Sequence, residues 1–78
     1  MSPRQKEVSD WLEDLGLVAY LPNFFDKGFD AMLVVHHIIA EDLDCMKITL
    51  PGHRKTLLLA VKILNRKLTS FLLKGMPW

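Results

Sequence analysis

The chain has one cysteine, Cys45, and no acidic residue after Asp44. A single cysteine forms no internal disulfide, so cysteine usage gives no sign of secretion, and a reducing, intracellular, cytoplasmic setting is expected. Long apolar runs are missing too. The longest, Met32 to Val35 and Leu57 to Val61, fall far below the roughly 20 residues of a membrane-spanning helix, so membrane insertion is not expected. The opening residues Met-Ser-Pro-Arg-Gln-Lys lead into no apolar stretch, which argues against a signal peptide.

Metal and catalytic patterns are also lacking. No Cys-x-x-Cys or His-x-x-x-His pair occurs, and the adjacent His36 and His37 face different sides of any helix. Core or surface histidines and a small buried thiol at Cys45 are expected instead of a metal site. No nucleophile stands near a base at usable spacing, and no glycine-rich loop could cradle a phosphate. At 78 residues there is little room for a deep cleft. The expectation is a protein that is not an enzyme, with no cofactor and no small-molecule substrate.

What remains is the composition of a folded domain: 50% hydrophobic and 24% charged residues, enough apolar surface to exclude disorder. One domain covering residues 1–78 is expected, with its core at about 7–67 and an extension over 68–78. No segment carries a convincing strand pattern, and helical spacing recurs throughout. Ser2-Pro3-Arg4-Gln5 has the form of a capping box, opening a helix with Val8, Trp11, Leu12 and Leu15 on one face and Gly16 at its end. A second helix is predicted from Val18 to Lys27, ending at Gly28. A third is predicted from Ala31 to His37 with Asp30 as N-cap, and a short fourth from Glu41 to Met46. The last is predicted from Pro51 to about Leu73, capped by Thr49 or Leu50 and stopped by Gly75 and Pro77. Its Leu57, Val61, Leu64, Leu68 and Phe71 share one face, making it the spine of the fold. The tail from Leu68 either prolongs this helix, packing Phe71 and Leu72 against the first, or stays partly exposed.

Charge divides along the chain. All nine acids precede Cys45, opposed there only by Arg4, Lys6 and Lys27, whereas seven bases and no acid follow. Two of those bases, Arg54 and Lys55, sit at the start of the long helix. The positive end of the helix dipole makes cations there unfavourable by about 0.3–1 kcal/mol each. Such a placement points to an anionic partner, and Gly52 beside it would let another backbone approach closely.

The series Val8-x-x-Trp11-Leu12-x-x-Leu15-Gly16-Leu17-x-x-Tyr20, followed by Phe24 or Phe25, Gly28, Asp42-Leu43, Ile48 and Gly52-His53-Arg54, resembles the sterile alpha motif (SAM) domain. The resemblance covers about residues 8–66. It implies an all-α, compact bundle of five helices, four short and one long at the C-terminus. Lys47 departs from it where the family often has glycine, and Pro51 where an aliphatic residue is common. A left-handed backbone at Lys47 would cost on the order of 1 kcal/mol.

SAM domains are mostly protein-interaction modules in scaffold, adaptor and signalling proteins, and many associate head to tail with a second copy or another SAM domain. The resemblance assigns Lys47, Gly52, His53, Arg54 and Lys55 to a basic end-helix surface. It assigns Asp26, Asp30, Glu41, Asp42 and Asp44 to an acidic mid-loop surface. Asp30 and Glu41 serve equally well as helix-start acids, whereas Asp26 and Asp44 carry the most weight for recognition. Some SAM domains instead bind RNA hairpins, which here would use Arg54, Lys55, Lys62 and Arg66. Against RNA, Leu15 to Tyr20 contains no Lys or Arg, and the net charge is only +1.

Overall fold

Reciprocal capping opens α1 (Pro3–Asp14). The Gln5 N–H donates to Ser2 Oγ at 3.2 Å, and the Ser2 N–H donates to Gln5 Oε1 at 3.1 Å, the capping box expected from sequence. The computed structural model describes the backbone of residues 1–74 and the side chains of residues 1–66. After α1 come a 3-10 turn (Val18–Tyr20), α2 (Leu21–Asp26), α3 (Met32–Val35), α4 (Ala40–Cys45) and α5 (Pro51–Lys74). Every regular element among the described residues is helical, and five are α-helices, as expected.

Several boundaries differ from expectation for identifiable reasons. The single helix predicted from Val18 to Lys27 is two pieces, because Pro22 has no N–H to return to Val18. The preceding turn tightens instead, with the Tyr20 N–H on Leu17 O at 3.0 Å and the Leu21 N–H on Val18 O. The third helix is only four residues long. Ala31, not Asp30, is its N-cap, in an extended conformation with no side-chain cap bond. Asp30 stands one residue too early for that role. Beyond Val35 the hydrogen bonds shorten to the i−3 type, His37 to Val34 and Ile38 to Val35, which rolls Ile38 into the core.

One termination device recurs at α1, α2 and α4. In each, the N–H two residues past the C-cap position region returns to the helix: Leu17 to Leu12 O at 2.8 Å, Phe29 to Phe24 O at 2.8 Å, Ile48 to Leu43 O at 3.0 Å. The residue just before it is left-handed: Gly16 at φ 72°, Gly28 at φ 82° and Lys47 at φ 60°. These are Schellman ends, which require a left-handed residue and place an apolar one directly after it. Glycine adopts that backbone freely, and lysine does so at a cost of about 1–2 kcal/mol. The chain reverses three times in this way, delivering Leu17 and Ile48 to the core and Phe29 against its edge.

The core runs through every element. Val8 and Leu12 of α1, Phe24 of α2, Val35 of α3, Leu43 of α4, Ile48, and Leu57 of α5 are each 0% exposed. Trp11 and Phe29 contact Phe24 edge-on, with ring centroids 6.3 and 6.4 Å away, a favoured aromatic geometry. Leu57 and Val61 are buried, and Leu58 and Leu64 pack on the same cluster, so α5 is the spine the apolar spacing indicated. Cys45 corrects the expected buried thiol, since it is exposed. Leu43 and Met46 occupy the inward positions of that turn, and Cys45 between them faces outward. The expected helix stop at Gly75 and Pro77, and the packing of the Leu68, Phe71 and Leu72 side chains, lie outside the described residues.

Candidate functional site

At the start of α5, Leu50 O accepts the Arg54 N–H at 3.0 Å, so Leu50 occupies the cap position and Pro51 the first helical one. The Arg54 guanidinium then folds back onto the preceding segment. Its Nη1 lies 2.7 Å from Asp44 Oδ1 and donates to Ile48 O at 2.8 Å, while Nη2 donates to Ala40 O at 3.3 Å. The Arg54 side chain is 23% exposed and that of Asp44 68%. Arg54 therefore has its anion within the chain, and the unfavourable dipole placement is offset locally.

Lys55 is different. It is exposed, and no hydrogen bond or ion pair engages its ammonium among the described residues. The inference from a cation at a positive helix end thus passes from Arg54 to Lys55. Next to it, a Cβ built on Gly52 would meet no atom within 4 Å, so the first turn of α5 presents bare backbone to open space.

His53 has a neighbour that sequence could not supply. Its Nδ1 is hydrogen-bonded to the Tyr20 hydroxyl, and the two rings meet edge-on at 5.3 Å. Thirty-three residues separate them, and no local pattern announces such a pair. The contact fastens the 3-10 turn to the start of α5, and Val18 in that turn (43%) and Leu50 at the head of α5 (54%) are exposed apolar residues. Neither was expected in the site.

The mid-loop acids take distinct positions. Asp26, Asp30 and Glu41 are exposed. Asp42, assigned by the resemblance to the mid-loop surface, also caps a helix: its Oδ2 accepts the Ile39 N–H at 2.9 Å at the head of α4. Asp44 is held by Arg54. Lys47 lines an open groove of about 360 Å³ with Pro22, Asn23, Asp26, Lys27, Cys45 and Met46, which the Asn23 amide braces by donating to Met46 O at 2.8 Å. The two expected surfaces therefore meet in one chain, Arg54 with Asp44 and Lys47 beside Asp26.

No group of three or more His, Cys, Asp or Glu side chains that could hold a metal occurs among the described residues. His36 donates from Nδ1 to Asn65 Oδ1 at 3.0 Å, and Asn65 Nδ2 donates to His36 O at 2.9 Å, which ties the end of α3 to α5. No helix among the described residues is long and apolar enough to cross a membrane.

Comparison with known proteins identifies the arrangement. The family model of the SAM domain (sterile alpha motif) matches residues 2–65. Ephrin type-A receptor 1 of Homo sapiens is 42% identical over 57 residues, 73% of this chain and 6% of that protein. Ephrin type-B receptor 3 of Xenopus laevis is 38% identical over 65 residues, 83% of the chain and 7% of the relative. Caskin-1 of Rattus norvegicus is 38% identical over 58 residues, 74% of the chain and 4% of the relative. The chain thus spans a small fraction of the length of each relative. No solved structure matches it significantly.

Proposed function

The chain belongs to the sterile alpha motif family, a family of protein-interaction modules, and we propose that it docks head to tail on another SAM-type domain through the start of α5. The donor surface in this proposal is Lys55 and Gly52 with His53, flanked by Leu50 and Val18. Its target is an acidic surface on the partner, of the kind that Asp26, Asp30 and Glu41 form on this chain. Arg54 and Asp44 brace the donor loop, and Asp42 holds the head of α4. Lys47 contributes from the groove it shares with Asp26.

The observation that carries the proposal is Lys55: an exposed cation at the positive end of a long helix, with no counter-charge among the described residues and bare backbone at Gly52 beside it. An acidic partner surface supplies the counter-charge that Lys55 lacks and so adds a Coulombic attraction. Because donor and acceptor differ, identical subunits would propagate unless their rotation closes a ring. The proposed setting is the cytoplasm, as an interaction segment of a larger signalling or scaffold protein.

Sedimentation equilibrium at low and high salt tests the proposal. Association that weakens as salt screens the contact supports it. A chain that stays monomeric alone and also with other SAM-type domains contradicts it.

A further inference from the structure

The outer face of α5 carries a second feature, running along the helix from Lys55 of the docking end. Counting from Lys55 at i, Leu59 (i+4), Lys62 (i+7), Ile63 (i+8) and Arg66 (i+11) form one exposed row along the helix, about 16 Å long. Leu59 is 59% exposed and Ile63 43%. The opposite face, with Leu57 and Val61, is buried in the core, so α5 is not free to sink into a bilayer. Its row of cations interleaved with aliphatics has no acid anywhere on the helix.

We propose that this row lays the domain against an anionic lipid bilayer, with Lys55, Lys62 and Arg66 on the headgroups and Leu59 and Ile63 entering the interface between them. Such a surface meets both parts of the row, because negative headgroups lie directly above hydrocarbon. Other occupants meet only one part. An RNA backbone pairs with the cations but has no use for the two aliphatics, and the row has no aromatic on which a base would stack. The outer face of α1 in a second copy offers Glu7, Asp10 and Asp14, all exposed, but no exposed aliphatic between them to cover Leu59 and Ile63.

The test is co-sedimentation of the whole chain with vesicles of phosphatidylcholine alone and of phosphatidylcholine mixed with phosphatidylserine, at low and high salt. Binding is expected only with phosphatidylserine and should weaken with salt. Each cation near an anionic surface contributes about fivefold in partitioning, so Lys62→Glu with Arg66→Glu should lower binding at least tenfold. Leu59→Ser with Ile63→Ser should lower it several-fold at unchanged charge. Lys6→Glu with Lys27→Glu, a charge change of the same size away from the row, should lower it clearly less. Circular dichroism verifies that each variant is folded. No binding to either vesicle overturns the proposal, as does an equal loss with the Lys6 and Lys27 changes. A hairpin RNA that binds through Lys62 and Arg66 without dependence on Leu59 and Ile63, while vesicles do not bind, overturns it as well.

Discussion

Arg54 in the first turn of α5 and Asp44 in the last turn of α4 form an ion pair at 2.7 Å. The same guanidinium also donates to the carbonyls of Ile48 and Ala40, so one side chain ties together the head of α4, its end and the loop into α5. Arg54→Ala leaves two carbonyls and a carboxylate short of a donor. It should destabilise the fold by about 2 kcal/mol, the range for hydrogen bonds from a charged group. Asp44→Ala, at the more exposed end of the pair, should cost less than about 1 kcal/mol. Urea unfolding followed by circular dichroism separates the two. Equal costs would mean that the ion pair, and not the carbonyl bonds, is the brace.

Lys47 occupies the left-handed position that Gly16 and Gly28 fill at the other Schellman ends. Lys47→Gly should raise stability by about 0.5–1 kcal/mol, because relief of the left-handed strain exceeds the entropy that glycine adds to the unfolded chain. A loss of stability in the same unfolding experiment would show that lysine is unstrained there.

Tyr20→Phe keeps the ring contact with His53 and removes only the hydroxyl. A cost of about 1 kcal/mol is expected. His53→Ala removes ring and bond together and should cost more. If the two variants unfold at the same denaturant concentration, the edge-on contact contributes nothing measurable.

Gly52→Ala separates folding from docking. The added methyl meets open space within the chain, and alanine is the better helix former, so stability should rise by up to about 1 kcal/mol. Association should nonetheless weaken, since the methyl stands where a partner backbone would approach. Unfolding and sedimentation of one preparation check both halves. Unchanged association would place the contact away from Gly52.

Much of the fold was legible because its signals are local. Ser2 with Gln5 announced the start of α1, Gly16 and Gly28 its end and that of α2, and the spacing of Leu57, Val61 and Leu64 the spine. Elements shorter than two turns were less legible, since α3 offers too few residues for a period and Pro22 split a helix that apolar spacing alone joined. The site was legible as charge but not as pairing. Arg54 and Asp44 were expected on surfaces facing different molecules, and Tyr20 with His53 was not foreseen. Both pairs form across loops whose path no local pattern specifies. Cys45 was misplaced because its burial depends on which residues of α4 turn inward.

The central claim is that Lys55 and its surroundings dock on acids such as Asp26 and Asp30 of another copy or another SAM-type domain. Its most direct test is sedimentation velocity of the wild type, Lys55→Glu, the double variant Asp26→Lys with Asp30→Lys, and an equal mixture of the two variants. Each variant alone should be monomeric, and the mixture, which retains one intact donor and one intact acceptor, should stop at dimers while the wild type grows further. A Lys55→Glu variant that associates as strongly as the wild type would contradict the account.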